Sequence, residues 1–274
     1  YVGGDIISGA LATGMDRDKR IRLFIDIGTN CELVLGDGER LIATAAPAGP
    51  AFEAASIRCG MRAAAGAVEV VTLTDTDVLL GVIEDAEPIG LCGSGLVDAV
   101  AELARKGIAD PSGRFMTDEA MKDKWPALAH RLVTIDKERV FILSFADTNE
   151  AGVFLSQRDV RELQFAKAAI STGWKMLLEE FGVAEEDIAQ VLLAGSFGTY
   201  LSAKNAIAIG LVPKIPALRV ISAGNVAGEG AKMVLLSGPE RNGATTLMRE
   251  IAYLELSDRA DFNDRFVDEL AFPI

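Results

Sequence analysis

Three short apolar segments that run directly into glycine-containing turns restrict the fold of this 274-residue chain more than any other feature. Residues 21–27, 191–193 and 219–221 are typical of strands, and the turns follow at 28–30, 195–198 and 224–228. A long stretch between them, 159–181, carries apolar residues at helical spacing. The alternation of strands with long helices predicts an α/β fold.

The first strand opens an antiparallel meander. Residues 32–35 return after the turn at 28–30, the pair Asp37-Gly38 is a strong hairpin signal, and residues 40–44 supply a third strand. Further strands are expected at 68–73, 78–83 and 140–145. The sequence therefore predicts a mixed sheet that starts with an antiparallel meander and is flanked by helices.

Capping residues set the expected helix boundaries. Ser94 is a suitable N-cap for a helix that ends near Lys106, and Ser156 with Asp159 resembles a capping box for the helix at 159–181. Helices are also expected at 227–236 and 244–253. Residues 238–245 imitate a phosphate-binding loop but carry Ala244 where the lysine belongs, so we interpret them as a loop between these two helices.

Composition excludes several functional classes. Half of the residues are hydrophobic and 24% are charged, as in an ordinary globular protein. The 27 Lys and Arg residues against 40 Asp and Glu residues give a net charge of −13, which argues against binding of nucleic acid or of an anionic membrane. The sequence shows no run of 18 apolar residues and no signal peptide. The three cysteines, Cys31, Cys59 and Cys92, are an odd number, whereas a disulfide framework needs an even set, and they lie too far apart in sequence for a zinc or iron–sulfur site, so we expect a cytoplasmic protein.

The turn after the first strand carries residue types that bind phosphate. Gly28 lets phosphate oxygens approach backbone N–H groups, and Thr29 and Asn30 add side-chain donors. Asp26 is the candidate catalytic residue, because it can hold a Mg²⁺-bound water or orient an attacking one; no direct metal ligand is predicted. Taken alone, the segment is as consistent with a plain hairpin turn.

Two later turns complete the candidate site. Gly195-Ser196-Phe197-Gly198 offers a flat backbone to a planar base, because no side chain intrudes at either glycine. A nucleophilic role for Ser196 would need a histidine base, and the only histidine, His130, lies in the charged segment 110–138. Gly224-Asn225 precedes a helix whose N-terminus can face an anion, or is simply an Asn-capped helix.

The order of these segments, preceded by Val2-Gly3-Gly4-Asp5, resembles half of an actin-like, ribonuclease-H-like ATPase. In that superfamily a nucleotide lies between two related lobes. Residues 2–13 resemble its connect 1 motif, 23–35 phosphate 2, 191–200 adenosine and 222–236 connect 2. The resemblance implies a hinge helix at 1–20 and a second ATPase lobe at 21–274, with a surface insertion at 110–138. A phosphate 1 hairpin is missing ahead of Asp26, so the first lobe is expected to be absent.

Further segments narrow the resemblance to the reductive activators of corrinoid proteins; these are Asp26–Glu32, Ala48–Glu53, Cys59–Ala63, Cys92–Leu96 and Arg161–Gln164. The resemblance implies that the chain is the C-terminal nucleotide-binding part of a protein that uses ATP and Mg²⁺ to reduce the cobalt of a corrinoid protein from Co(II) to Co(I). It also implies a [2Fe–2S] domain elsewhere in the full-length protein. Gly195 to Gly198 would contact the adenosine, and Gly224 with Asn225 would form the hinge side of the nucleotide site. Cys31 departs from the glycine usual in the family.

Two alternatives stay open at the level of sequence. One is a small-molecule kinase of the same superfamily, and the other is a non-catalytic module that docks a corrinoid protein or dimerises. A homodimer is likewise left open. Because half of the nucleotide cage is expected to be missing, the chain alone is expected to be an incomplete ATPase.

Overall fold

Strands in three sheets form the framework of the computed structural model, which describes residues 2–146, 151–198 and 200–273, without the side chains of residues 151 and 196. In this part of the chain the strands are β1 (Arg22–Asp26), β2 (Cys31–Gly36), β3 (Leu41–Ala46), β4 (Ala67–Leu73), β5 (Val78–Val82), β6 (Gly90–Leu91), β7 (Leu132–Ile135), β8 (Glu138–Phe145), β9 (Ala151–Ser156), β10 (Gln190–Ala194), β11 (Val220–Gly224) and β12 (Ala252–Tyr253). The helices are α1 (Gly4–Ala12), α2 (Gly93–Arg105), α3 (Asp118–Lys124), α4 (Gln157–Phe181), α5 (Gly195–Gly198), α6 (Ala203–Ala208), α7 (Val226–Leu236), α8 (Gly238–Glu250) and α9 (Phe262–Asp268).

The chain divides into two compact units. Unit 1 comprises Tyr1–Gly49, Ala168–Ala203 and Leu211–Glu269, and unit 2 comprises Pro50–Lys167, Lys204–Gly210 and Leu270–Ile274. This division is defined by contacts between segments that are distant in sequence. The expected boundary, between a hinge at 1–20 and a lobe at 21–274, was instead defined by sequence motifs. That motif-based boundary stays a prediction.

Unit 1 is built on a six-stranded sheet with the order β11-β10-β1-β2-β3-β12. Strands β1, β2 and β3 form the antiparallel meander, while β10 and β11 run parallel to β1. Strand β12 adds in parallel to β3 at the far edge. The prediction of an α/β fold with a mixed sheet that begins as a meander is confirmed.

Helices cover both faces of this sheet. On one face, α1, α7 and α8 contribute to a buried apolar cluster with the sheet residues Phe24, Val34, Ala43 and Leu192. On the other face, Gly173 of α4 lies against Leu33 and Ala46, where even a methyl group would touch the Leu33 side chain at 3.3 Å. Because strand residues alternate between the two faces, Phe24 and every second residue from it point toward α1.

Helices α1 and α7 cross at very short range. A Cβ atom added to Gly230 of α7 would overlap the carbonyl oxygen of Ser8 in α1. A Cβ atom added to Gly9 of α1 would lie 2.8 Å from the ring of Phe24 and 3.2 Å from Val226. Only glycine leaves room for the two backbones to approach this closely.

Unit 2 contains two three-stranded sheets, β5-β4-β6 and β7-β8-β9. Helix α2 is buried along almost its whole length, including Val97 and Val100. The charged segment 110–138 holds α3 and contributes β7, which pairs antiparallel with β8. The segment is therefore ordered secondary structure that completes a sheet.

Two of the expected helix starts need correction. The N-cap of α2 is Cys92, and Ser94 is the second residue of the helix, with its side chain buried and its Oγ 3.4 Å from the Cys92 sulfur. Residues 238–245, expected to be a loop, belong to α8, since Ser237 accepts from the N–H of Glu240 at 3.3 Å and Pro239 is tolerated in a first turn. The last predicted residues of that helix, 252–253, form β12 instead.

The capping box of the longest helix is confirmed. The N–H of Ser156 donates to Oδ2 of Asp159 at 2.8 Å, and the N–H of Asp159 donates to Oγ of Ser156 at 3.1 Å. Helix α4 therefore begins at Gln157, directly after its capping serine. Over the described ranges, no helix combines the length and the apolar character needed to cross a bilayer.

Candidate functional site

The three predicted loops leave the sheet of unit 1 side by side. Strands β1, β10 and β11 are adjacent and parallel, and the register pairs Asp26 with Ala194 and Ala194 with Gly224. The segments 28–30 and 195–198 start just past this row, and Asn225 follows Gly224. Ligands of open α/β sheets bind at the carboxyl ends of parallel strands, so the row marks the place where a ligand is expected.

Gly195 brings the first and second loops into contact. Its φ is +86°, and a Cβ atom added to it would lie 2.6 Å from Oδ1 of Asp26 and 2.6 Å from the carbonyl oxygen of Ile27. The N–H of Ile27 also donates to the carbonyl of Ala194 at 3.1 Å. Glycine is required at position 195 both by the backbone conformation and by the proximity of Asp26.

Two acidic side chains that the sequence analysis did not select accompany Asp26. Glu32 stands directly opposite Asp26 in the antiparallel register of β1 and β2, so both side chains point to the α1 face of the sheet. Burial, and then the negative charge of Asp5 in the first turn of α1, raises the pKa of Asp26. Burial, followed by the charges of Asp5 and Asp26, raises the pKa of Glu32 to about 7. The candidate site thus concentrates acidic side chains beside the loop predicted to bind phosphate.

The loop between β1 and β2 presents its polar side chains outward. Thr29 and Asn30 are exposed, and Gly28 turns so tightly that an added Cβ atom would lie 3.3 Å from the carbonyl oxygen of Asn30. The N–H of Gly49 donates to the carbonyl of Thr29 at 3.0 Å, and the thiol of the buried Cys31 donates to the carbonyl of Gly28 at 3.2 Å. The loop is therefore held from its inner side, while its outer side is open to a ligand.

The second loop forms a single helical turn, α5, directly after β10. Phe197 is half-buried, and Gly198 is buried with the backbone of Leu193 3.1 Å from the position of an added Cβ atom. The predicted contact of the Ser196 side chain lies outside the described atoms, as does residue 199 of the matching motif. The roles of these residues toward adenosine stay predictions.

The third loop caps a helix. Gly224 has a φ of +72°, and Oδ1 of Asn225 accepts from the N–H of Gly228 at 3.0 Å. Asn225 is therefore the N-cap of α7, the interpretation that the sequence analysis weighed against a nucleotide contact. A hinge or nucleotide role for this pair stays a prediction.

A cavity of about 520 Å³ borders the exposed Asn30 within unit 1, and its wall includes Pro47, Tyr253, Arg259 and Phe262. Arg259 is the cationic residue of this wall, but its guanidinium already pairs with Asp261 at 3.2 Å and with Glu179 at 3.5 Å. Its charge is compensated by these carboxylates, so we do not assign it to a phosphate group.

The donor set fits magnesium only as a companion of a nucleotide. Among the described residues, no group of three or more His, Cys, Asp or Glu side chains is arranged to hold a metal ion. Mg²⁺ keeps several waters and is commonly bound through one or two carboxylates together with substrate phosphates. The facing carboxylates of Asp26 and Glu32 suit a hydrated ion that arrives with phosphates.

Comparison with known proteins decides the family of the chain. Residues 20–274 match the family described as the C-terminal domain of RACo, the ASKHA domain. The chain belongs to this family.

Relatives of the chain carry names from corrinoid biochemistry. The chain is 37% identical to the corrinoid activation enzyme RamQ of Eubacterium limosum over 99% of its own length and 46% of RamQ. It is 24% identical to the Co(II) methylated amine-specific corrinoid protein reductase of Methanosarcina barkeri, over 99% of the chain and 49% of that protein. A solved reductive activator for a corrinoid, iron–sulfur protein matches with a TM-score of 0.89 and 38% identity over the whole chain, which covers 43% of that structure. The chain spans about half the length of the curated relatives it matches.

Proposed function

We propose that this chain is the nucleotide-binding C-terminal part of an ATP-dependent reductive activator, which returns the cobalt of a corrinoid partner protein from Co(II) to Co(I). The observation that carries the proposal is the row formed by Asp26, Ala194 and Gly224, from which three candidate loops leave the sheet together. Membership of the RACo C-terminal family and the names of its relatives support the activity. A kinase is not supported by these names.

Each loop has a distinct task in this proposal. The outer side of the loop at Gly28–Asn30 receives the phosphates, with the side chains of Thr29 and Asn30 as donors. The turn at Gly195–Gly198 receives the adenosine, because its glycines keep side chains away from the base. Asp26 orients the attacking water or a water bound to the magnesium ion. Hydrolysis of bound ATP supplies the free energy for an electron transfer that is unfavourable with ordinary donors.

The acidic surroundings make a cation essential. Asp26 and Glu32 face each other, and Asp5 lies close enough to raise the pKa of both. Anionic phosphates placed beside these carboxylates are repelled unless a divalent cation lies between the charges. We therefore expect nucleotide binding to depend on Mg²⁺.

The remaining parts of the activity belong to the longer protein and its partner. The electron carrier of this proposal, a [2Fe–2S] cluster, is assigned to a region outside this chain. A corrinoid protein is the proposed partner, and the homodimer left open from the sequence stays a prediction.

Calorimetric titration with ADP tests the nucleotide site. The variant Asp26→Asn keeps the size of the side chain but removes its charge, and Asp123→Asn, on the exposed surface of α3 in unit 2, is the matched control. With Mg²⁺ present, we expect Asp26→Asn to weaken ADP binding by about tenfold or more, the loss of one charge-assisted contact. With EDTA present, the same variant should bind ADP as well as or better than the wild type, because one repelling charge is gone.

Weaker ADP binding with Mg²⁺ together with equal or stronger binding in EDTA would identify a cation-dependent site. A folding defect would instead weaken ADP binding under both conditions. Equal binding of Mg-ADP by the wild type and Asp26→Asn would remove Asp26 from the site. In the full-length protein, transfer of labelled phosphate from ATP to a small molecule, without cobalt reduction, would replace the proposed activity by that of a kinase.

A further inference from the structure

We propose that Cys31 is a positioning residue for the phosphate-binding loop, and that its thiol holds the carbonyl of Gly28 away from the phosphates. The inference rests on the proposed function, because it concerns the same nucleotide site.

The thiol of Cys31 is buried and hydrogen-bonds to the backbone of its own loop. Cys31 is the first residue of β2 and is fully buried, and its Sγ lies 3.2 Å from the carbonyl oxygen of Gly28. The bond spans three residues and therefore closes the turn from Gly28 to Cys31. Because the thiol is a weak donor, the bond directs the carbonyl rather than adding much stability.

The second carbonyl of the loop is held in the same manner. The N–H of Gly49 donates to the carbonyl of Thr29 at 3.0 Å. Two successive carbonyl oxygens of the loop therefore accept hydrogen bonds from within unit 1. A carbonyl oxygen that faced the phosphates would repel them, whereas one held by a protein donor leaves the approach to N–H groups and to the side chains of Thr29 and Asn30.

Residue types at position 31 differ in whether they keep the hydrogen bond to the carbonyl of Gly28. A glycine at position 31 would leave the carbonyl of Gly28 without this donor, and alanine would do the same while keeping the backbone preferences of an ordinary residue. Serine would keep a donor on the same Cβ atom. Comparison of cysteine, serine and alanine at position 31 therefore distinguishes the effect of the hydrogen bond from the effect of side-chain volume.

Cys92 offers a matched control in unit 2. It is also buried, and its thiol also donates to a backbone carbonyl, that of Val68, at 3.3 Å. Cys92→Ala therefore removes a similar bond and a similar volume at a place distant in sequence from the proposed nucleotide loops.

The test is calorimetric titration of the wild type, Cys31→Ala, Cys31→Ser and Cys92→Ala with Mg-ADP and with adenosine. We expect Cys31→Ala to weaken Mg-ADP binding by about threefold to tenfold, the worth of one lost positioning hydrogen bond, and to leave the affinity for adenosine unchanged. Cys31→Ser should bind Mg-ADP as the wild type does, and Cys92→Ala should match the wild type with both ligands.

Each other result overturns the inference. Unchanged Mg-ADP affinity in Cys31→Ala would show that the thiol does not position the loop. An equal loss for adenosine and Mg-ADP would show a general structural effect, and the same loss in Cys31→Ser would show that the donor is irrelevant. If the wild type itself binds neither ligand, the proposed function fails first, and this result is distinct because it does not depend on the variants.

Discussion

The ionisation of Glu32 couples the stability of the folded protein to pH. Its pKa is raised to about 7 by burial and by the charges of Asp5 and Asp26, so the folded protein binds this proton more tightly than the unfolded chain does. The resulting stabilisation is fully present below pH 4.5, the ordinary value for a glutamate, and is lost as the pH rises to about 7.

The variant Glu32→Gln tests this ionisation. We expect its free energy of unfolding to exceed that of the wild type at pH 8 by about 1–2 kcal/mol, since each pKa unit corresponds to about 1.4 kcal/mol and solvent screens part of the effect. The advantage should disappear at pH 4. Urea unfolding at both pH values gives the comparison, with Glu250→Gln on exposed α8 as the control. The same advantage at both pH values would point to altered packing rather than to charge.

Individual site residues differ in how far the sequence predicts them. Asp26 can be selected because it ends an apolar strand and precedes a glycine turn. Glu32 cannot be selected in the same way, because only the register of β1 and β2 shows that it stands opposite Asp26. The signal that was available is a single acid inside an otherwise apolar strand, Cys31–Gly36, and Asp5 was part of a motif already noted.

At the scale of elements, Gly230 is the glycine at which the backbones of α1 and α7 approach most closely. In Gly230→Ala the new methyl group would overlap the carbonyl oxygen of Ser8, so the two helices must separate. We expect a loss of about 2–3 kcal/mol in the free energy of unfolding, typical of overpacking in a tight interface. Urea denaturation measures it.

The control for this prediction lies in the neighbouring helix. In Gly243→Ala of α8, the new Cβ atom would lie 3.6 Å from Leu11, an ordinary contact, so we expect stability to rise by up to about 1 kcal/mol through better helix propensity. An unchanged Gly230→Ala, beside a stabilised Gly243→Ala, would contradict the tight crossing.

Elements were predictable where a local rule decides them. The capping box of Ser156 and Asp159 is local, and the start of α4 follows from it. The start of α2 does not follow from a local rule. The helix is capped by Cys92, and Ser94 is buried in its first turn by tertiary packing. The start of α8 was missed because Gly238 and Pro239 are loop formers on average, although Ser237 caps the helix that they begin.

At the scale of the whole molecule, the candidate site residues all belong to unit 1. Amide hydrogen exchange with and without Mg-ADP should therefore show new protection in the segments Asp26–Asn30 and Gly195–Gly198. Exchange in β8 of unit 2 should not change. Asp26→Asn, measured in parallel, should lose the added protection, and protection confined to β8 and its neighbours would place the nucleotide elsewhere.

The division into two units is the part of the architecture that the sequence patterns did not predict. Segments Tyr1–Gly49 and Ala168–Ala203 join one unit although more than a hundred residues separate them. Periodicity reports the face of each element but not which distant element covers it. The fold class and the meander could be predicted from the sequence, because the strands of the meander are consecutive and pair with each other. The pairing of β1 with β10 could be seen only in the three-dimensional structure.

The shared register of Asp26, Ala194 and Gly224 sets where changes in chain length can be tolerated. A residue inserted before this row, inside β1, β10 or β11, would move one loop by about 3.3 Å along the sheet and would turn the side chains of that strand to the opposite face. A residue inserted after the row would lengthen a loop and leave the strands in place. Each loop can therefore change in length during evolution, or be replaced by protein engineering, without moving the other two loops, provided that the change lies after this row.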